Sequence, residues 1–303
     1  MSEQVVEATT VANDPASDRP QTLAWRRRLR HARRDWWTIA AVGLLLTLAA
    51  LAFAGEALGI IPDPYATSPK QALRGPSADH WFGTDELGRD LFARVITGGR
   101  ISIATAAVVV VASAAIGIPL GLLAGYLSGL IDVVIMRIVD IILAFPAILL
   151  ALGLLTVLGQ GFFTATIAVT VVSVPGFARL MRASVLSEKE RDYVLASRSM
   201  GARPVRIMVG TLLPNCVAPV IVQAGFIATW AVLLEASLSF LGLGAKPPQP
   251  SWGEMLSTSK AFLYRAPWYG IFPGIALTLS VLAFFALGDA AQRRFGRGKQ
   301  SLF

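Results

Sequence analysis

Side chains that carry out covalent or metal chemistry are scarce in this sequence. The 303 residues include two histidines, His31 and His80, and one cysteine, Cys216. One cysteine cannot build a disulfide framework, and two histidines this far apart argue against a metal centre or a Ser-His-Asp arrangement. Residues 296–299 (Gly-Arg-Gly-Lys) lack the first glycine and the serine or threonine of a P-loop. The sequence therefore argues against an enzyme and excludes ATP hydrolysis by a P-loop on this chain.

Arg137, Asp140 and Glu235 are ionisable residues inside long apolar stretches, where a charge is costly and is usually retained for a function. Arg137 and Asp140 are three residues apart, so on a helix they share one face and can pair. They form either a structural pair or subunit contact, or a gate on a transport pathway. Glu235 has no partner nearby in sequence. It either lines a cavity that could meet a substrate amine, or accepts hydrogen bonds from neighbouring helices or a partner subunit.

A further group of charges begins at Asp85 and Glu86, residue types that favour the N-terminus of a helix. Apolar residues then recur at helical spacing at positions 87, 91, 95 and 96, which predicts an amphipathic helix over 84–96 on the outer membrane face. This helix is either a surface near a pore mouth that could meet a substrate-binding protein, or a membrane-lying segment that leads into the next span. A metal site formed by Asp85, Glu86 and Asp90 is the weaker interpretation.

The composition indicates what surrounds these residues. Hydrophobic residues make up 54% of the chain and charged residues 15%, against about 25% in a soluble domain. A chain with so few polar groups cannot cover a water-facing surface, so we predict an integral membrane protein. A net charge of +8 would favour nucleic-acid binding in a soluble protein. Here the positive charges flank apolar stretches, and no nucleic-acid partner is expected.

Six stretches are apolar and long enough to cross the roughly 30 Å hydrocarbon core as helices, which predicts an all-α polytopic fold. They lie at about 36–55, 102–126, 132–157, 162–184, 217–240 and 270–289. The first follows six arginines in residues 26–34 and begins with two tryptophans, which is typical of a membrane interface. Residues 52–54 (Ala-Phe-Ala) resemble a signal-peptide cleavage site, but the long polar leader and the long apolar run favour a retained span.

The distribution of Lys and Arg orients these spans. With the N-terminus inside, the cytoplasmic segments carry 17 of these residues and the external loops carry 8, so both termini are predicted to be cytoplasmic. The chain then divides into four parts. They are a disordered basic cytoplasmic tail (1–35), the first span with an extracellular loop (36–100), a transmembrane domain (101–292) and a cytoplasmic C-terminal tail (293–303).

The cytoplasmic segment at about 188–214 carries the most specific pattern in the chain. It predicts a short helix that stops at Gly201, where a left-handed turn costs glycine nothing, and a second short helix broken at Pro214. The small residues Ala196 and Ser197 let another surface approach closely. A plain amphipathic surface helix is the alternative.

This spacing resembles the E-A-A loop of importer-type ABC transporter permeases, which in that family docks in a groove of the cytoplasmic ATPase. The matching positions are Leu195, Ala196, Ser197, Gly201, Ala202, Leu213 and Pro214. Leu195 stands where the family name implies glutamate, and Thr211 stands where isoleucine is usual. No contact through a glutamate at that first position is therefore implied.

Three more stretches resemble the dipeptide/oligopeptide/nickel importer subfamily, in particular its second permease subunit. They are His80–Asp90 (including Asp85, Gly88, Arg89 and Asp90), Met136–Asp140 with Ala144–Pro146, and Leu238–Gly244 with Pro247–Gly253. Four motifs in the same order cover about residues 80–290, which makes the resemblance specific.

The resemblance implies a six-helix importer permease in a bacterial plasma membrane that forms half of a pore with a homologous second permease. It implies one or two cytoplasmic ATPases that hold Mg-ATP, an extracellular substrate-binding protein, and no cofactor on this chain. Peptides are the first substrate class implied, with nickel chelates, glutathione and haem as alternatives. An ion-coupled transporter would instead show inverted repeats and midplane carboxylates, and a membrane enzyme would need a catalytic set. The sequence shows neither pattern.

Residue 198 should be accessible only from the cytoplasm, because the arginine distribution places its segment inside. In a chain with Cys216 replaced by alanine, Arg198→Cys should resist a membrane-impermeant maleimide in intact cells and react in inside-out vesicles. Asp79→Cys, in the predicted external loop, is the control and should show the reverse pattern. Labelling of position 198 in intact cells would contradict the orientation.

Overall fold

In a computed structural model, residues 22–296 are described, and their regular structure is helical. The first six helices are α1 (Thr22–Ala54), α2 (Leu91–Leu127), α3 (Gly129–Ala144), α4 (Ala147–Leu158), α5 (Phe162–Glu188) and α6 (Asp192–Ser199). Two single turns, α7 (Pro204–Arg206) and α8 (Leu213–Asn215), then flank a π-helical turn at Ile207–Leu212. The last helices are α9 (Val217–Phe240), α10 (Trp252–Ser259) and α11 (Trp268–Gly296). The predicted all-α class is confirmed.

Four helices, α2, α5, α9 and α11, are long and apolar enough to cross a membrane. The third predicted span is the pair α3 and α4, which is bent by 94° at Phe145 and Pro146 and adds a fifth crossing if it is counted as one. The apolar stretch Thr38–Ala54 of α1 has 17 residues, which is short for a full crossing. The described residues therefore contain four or five spans by length and composition, rather than the six predicted.

The chain divides into one unit up to Trp37 and a second from Thr38 onward. In the first unit, α1 begins at Thr22, so residues 22–35 are helical and are not the disordered tail predicted there. Their many Arg, Leu and Ala residues are good helix formers, which explains the difference. Residues 1–21 of the predicted N-terminal tail and residues 297–303 of the predicted C-terminal tail lie outside the described part.

The start of α2 corrects one prediction. The helix begins at Leu91, and the separate amphipathic helix predicted over 84–96 is wrong. Asp90 is the N-cap residue, and its side chain accepts the backbone N–H three residues further on at 2.8 Å. Asp85 uses its carboxylate to accept two N–H groups of the preceding loop instead of starting a helix. From Leu91, α2 runs without a break through the second predicted span.

Helices α2 and α5 pack along a stripe of small residues. The stripe consists of Gly117, Gly121 and Gly125, which lie one turn apart on α2. A Cβ atom on Gly117 would lie 2.7 Å from the Phe177 Cβ, and one on Gly125 would lie 2.8 Å from the Val185 Cβ. In lipid there is little hydrophobic drive between helices, so close packing of small residues holds them together. The α2–α5 pair forms the rigid centre to which the sites below are attached.

Candidate functional site

The connection between α5 and α9 (residues 189–216) begins as the sequence predicts. Helix α6 ends two residues before Gly201, which adopts a left-handed φ of +74°. The Gly201 N–H donates to the Arg198 carbonyl at 2.9 Å, and the Ala202 N–H donates to the Ser197 carbonyl at 3.1 Å. The predicted short helix and its glycine stop are confirmed.

The second half of the α5–α9 connection differs from the prediction. The chain does not break at Pro214 but continues through the π-helical turn and α8, and the break falls at Cys216. Pro214 is the second residue of α8, and the π-helical turn before it carries the chain on without the break predicted there.

Val194 anchors α6 to the membrane helices. Its side chain is fully buried in a cluster formed with α2, α5 and the π-helical turn. The other members are Leu122, Met181, Val185, Ile207, Met208, Leu212 and Cys216. Because close-packed interiors transmit strain, a force applied to α6 reaches α2 and α5 directly.

Polar contacts reinforce this attachment at the end of α5. The buried Glu188 carboxylate accepts a hydrogen bond from the Tyr193 hydroxyl at 2.8 Å and pairs with Arg191 Nε at 2.9 Å. Partial burial and the bond to this carboxylate raise the pKa of Tyr193 to about 12, so its hydroxyl stays a donor at neutral pH. Lys189 Nζ donates to the Ser128 hydroxyl at 2.8 Å, at the end of α2. These bonds tie the start of α6 to the end of α5, and the end of α5 to the end of α2.

The outward side of α6 is exposed. Leu195 is 43% exposed and Met200 is 80% exposed, and a Cβ atom on Gly201 would meet no heavy atom within 4 Å. A concavity of about 950 Å³ lies beside these residues, and Arg203 and Arg206 contribute to its lining. Apolar side chains bordered by arginines, on a helix fixed from behind, suit contact with another protein.

The seven positions predicted for docking fall into two groups. Leu195, Ala196, Ser197, Gly201 and Pro214 remain accessible in whole or in part. Ala202 and Leu213 also pack against the buried cluster around Val194. In the α5–α9 connection, the accessible residues therefore lie next to the residues that pack on the buried cluster around Val194.

The charges in the α3 region pair differently from the prediction. Asp140 does not pair with Arg137; its Oδ1 accepts a hydrogen bond from Arg179 of α5 at 2.6 Å. The two side chains of this pair are 53% and 55% exposed. A second pair between the same helices, Asp132 with Arg182, makes two bonds of 2.5 and 2.6 Å. The neighbouring helix presents each arginine directly to an aspartate, so contacts between helices replace the predicted pair within one helix.

Glu235 is enclosed within the helix bundle. Its carboxylate is 2% exposed and accepts hydrogen bonds from the Ser239 hydroxyl at 2.7 Å and the Ser102 hydroxyl at 3.3 Å. Of the two roles predicted for it, the geometry matches an acceptor of hydrogen bonds from neighbouring helices. It does not line an open cavity within the described residues.

Asp85 is the centre of a buried ion-pair network in the loop that precedes α2. Its fully buried carboxylate lies 2.6 Å from Arg89 Nε and 3.2 Å from Arg94 Nε. Gly88 adopts a left-handed φ of +71° in the same turn, and Asp90 caps α2. These side chains therefore hold the loop onto α2. The predicted surface at a pore mouth is wrong for them, because their charges are satisfied against one another inside the protein.

A further layer of this network was not singled out from the sequence. Arg94 also lies 3.7 Å from Glu254 of α10, and the Tyr269 hydroxyl donates to Glu86 at 2.5 Å. Trp252 is fully buried and its Nε1 donates to a carbonyl of α2 at 2.8 Å. Burial raises the pKa of Glu254, and the nearby Arg94 opposes that shift. The sequence does carry one sign of this second layer: Arg94 is an arginine inside an apolar helical pattern, which indicates a buried counter-charge.

Membrane-spanning helices around a close-packed pair, with an exposed segment fixed at one end, are the arrangement of a polytopic membrane protein that contacts another protein. Residues 117–300 match the family described as binding-protein-dependent transport system inner membrane component. The chain belongs to this family, whose members are multi-pass proteins of the bacterial inner membrane.

Individual relatives agree with this assignment. The dipeptide transport system permease protein DppC of Alkalihalophilus pseudofirmus is 41% identical over 284 residues, which is 93% of each chain. The glutathione transport system permease protein GsiD of Pectobacterium atrosepticum is 40% identical over 272 residues, which is 90% of each chain. The MetNI methionine ABC transporter in an inward-facing conformation shares the fold with a TM-score of 0.56 and 21% identity, over 67% of this chain and 95% of its own.

Asp85→Asn should destabilise the protein strongly. Removing the central carboxylate leaves two buried arginines short of a counter-charge, which should cost about 3 kcal/mol of unfolding free energy. The measurement is the unfolding midpoint of the purified protein in detergent. Asp79→Asn changes an exposed aspartate of the same loop and should leave the midpoint unchanged. Equal midpoints for the two variants would refute a structural role of Asp85.

Proposed function

We propose that this chain is a peptide permease subunit of an ATP-driven importer. It forms half of a pore with a homologous second permease, receives its substrate from an extracellular binding protein, and is driven by one or two cytoplasmic ATPases that hold Mg-ATP. The relatives support a peptide substrate, because their names refer to dipeptides, di/tripeptides and glutathione, which all contain peptide bonds. Glutathione itself, nickel chelates and haem are the alternative cargo.

The proposed orientation places both termini and the α5–α9 connection in the cytoplasm. The loops that precede α2 and α11 are then extracellular. The excess of Lys and Arg beside the cytoplasmic segments supports this arrangement. The permease domain comprises residues 101–292, with the segment at about 188–214 as its coupling loop.

The observation that carries the proposal is the rigid attachment of the exposed α6. Its accessible residues Leu195, Met200 and Gly201 offer a contact surface for an ATPase, and Val194 seats the same helix among α2 and α5. Movement of the ATPases on binding ATP then displaces α6 and the two spans together. A differential binding energy of about 5.5 kcal/mol is enough to shift a pore from 1:99 to 99:1 between two states.

Gly201→Asp should abolish association with the ATPases while leaving membrane insertion intact. The substitution adds a charged side chain at the centre of the exposed turn, where it meets no other part of this chain. The measurement is co-purification of the ATPases with the tagged permease, together with peptide uptake.

Gly129→Asp is the matched control for this prediction. Gly129 also has a left-handed φ, of +61°, and open space where a Cβ atom would lie, but it belongs to the turn between α2 and α3. It should keep both the complex and the uptake. A normal complex with Gly201→Asp, or equal loss with both variants, would contradict the proposed docking role.

The Asp140–Arg179 pair marks the proposed translocation pathway. Asp140 lies about 16 Å along α3 from its start at Gly129, at about 1.5 Å per residue, within the third predicted span. A half-exposed ion pair inside a span cannot face lipid, so water or another protein surface must cover it. A water-filled pathway along the interface with the second permease meets this requirement. Arg137, on the same stretch of α3, is included in this proposal, whereas the enclosed Glu235 is not.

Exchanging the two charges tests the pathway. Asp140→Asn should reduce peptide uptake at least about tenfold while the complex still assembles, because a solvated charge of the pathway is lost. The double variant Asp140→Arg/Arg179→Asp restores an ion pair with reversed positions. It should remain defective if the position of each charge matters to the substrate, and recovery of normal uptake would show that the pair only holds α3 to α5.

A further inference from the structure

A pocket of about 660 Å³ lies where α1 ends and α5 begins, apart from the α5–α9 connection and from the network around Asp85. Its walls are mainly apolar and aromatic. They include Phe53, Ile101, Phe162, Phe163, Pro247 and Pro250. Phe53 and Phe163 are 55% and 79% exposed, so the pocket opens beside apolar surface rather than inside the bundle.

The charged groups of the pocket are cationic. Arg100 and Lys246 both line it, and no aspartate or glutamate in the described part of the chain does. Arg100 pairs with Glu56 at 3.2 Å and donates to the Ala52 carbonyl, which fixes its position beside the end of α1. Within the described residues, Lys246 has no carboxylate at ion-pair distance. The pocket is therefore complementary to an anion.

Thr97 supplies an independent indication of a ligand. It lines the same pocket, it is 3% exposed, and its Oγ1 has no hydrogen-bond partner among the described residues. Leaving a buried hydroxyl unpaired is costly, so such groups usually have a partner that is not part of the chain. Thr97 and Arg100 are three residues apart on α2 and so share one face. The hydroxyl and the guanidinium can therefore meet the same ligand.

The pocket lies at the boundary between hydrocarbon and headgroups. Phe53 is next to the last residue of α1, and Phe162 is the first residue of α5. Arg100 immediately precedes the charge-free stretch of α2 that begins at Ile101. At this depth, a cation above apolar walls matches a phospholipid, which carries an anionic phosphate over acyl chains.

We infer that this pocket binds an anionic phospholipid. Its phosphate accepts from Thr97 Oγ1, Lys246 Nζ and the free side of the Arg100 guanidinium, and an acyl chain lies along Phe53 and Phe163. A peptide substrate fits less well, because the lining offers no carboxylate for its ammonium group and exposes aromatic surface at the membrane boundary. The inference does not depend on the proposed transport function.

Native mass spectrometry of the full-length chain with added phosphatidylglycerol tests this site. One phosphatidylglycerol should bind saturably per chain. Thr97→Val with Lys246→Gln should weaken that binding about tenfold, the effect of losing hydrogen bonds to a charged group. Arg100 is left unchanged because it also holds the end of α1. Lys70→Gln, which removes an exposed lysine outside the pocket, should leave the affinity as it is, and both variants should keep the unfolding midpoint.

Competitors separate the lipid from other anions. Diacylglycerol, which lacks the phosphate, should not displace phosphatidylglycerol, and millimolar inorganic phosphate should displace it poorly because it lacks the acyl chains. Displacement by phosphate alone, or by a dipeptide, would overturn the assignment to a lipid. Equal affinity in the wild-type chain and in the Thr97→Val/Lys246→Gln variant would overturn the site itself.

Discussion

Close contact between α2 and α5 is the constraint on which the rest of this protein depends. Lipid tails are as apolar as the helix surfaces, so the hydrophobic effect does little to hold two spans together. Gly117, Gly121 and Gly125 let the two backbones approach until the side chains of Phe177 and Val185 fill the space that a Cβ would need. The resulting rod carries the α6 anchor at one end and the buried network around Asp85 at the other.

The charged residues fall into three groups that differ in how far they are buried and in whether they are paired. Around Asp85, the charges are buried and paired with one another, so they stabilise the fold. Removing one partner is expected to cost several kcal/mol of unfolding free energy, about 3 to 5 for a buried pair. Between α3 and α5, Asp140 and Arg179 are paired but half exposed within a predicted span, where water or a partner surface suits a charge better than lipid does. Beside α6, the arginines are open to solvent and border an apolar contact surface. The same residue types therefore differ in burial and pairing from one site to the next.

Regular patterns were the most predictable part of this chain. Apolar run length located α2, α5, α9 and α11, and the small residues before Gly201 located the short helix and its stop, because both depend on local backbone preferences. The predictions that failed concern contacts between distant segments. Asp85 was expected to start a helix but accepts loop N–H groups and pairs with Arg94, and Asp140 was expected to pair within α3 but reaches Arg179. Thr97 and Lys246 gave no signal of a shared pocket.

The sequence alone determined that this protein is a helical membrane protein with a specific segment between two spans, since hydropathy and glycine conformation act over a few neighbouring residues. Only the tertiary structure decided which charges are buried, which are paired and which are accessible. Those properties depend on side chains separated by tens to hundreds of positions, such as Glu86 with Tyr269 and Val95 with Trp252. The energies of these contacts depend on distances and burial that arise only when the helices pack. The spacing of neighbouring residues in the sequence determines neither.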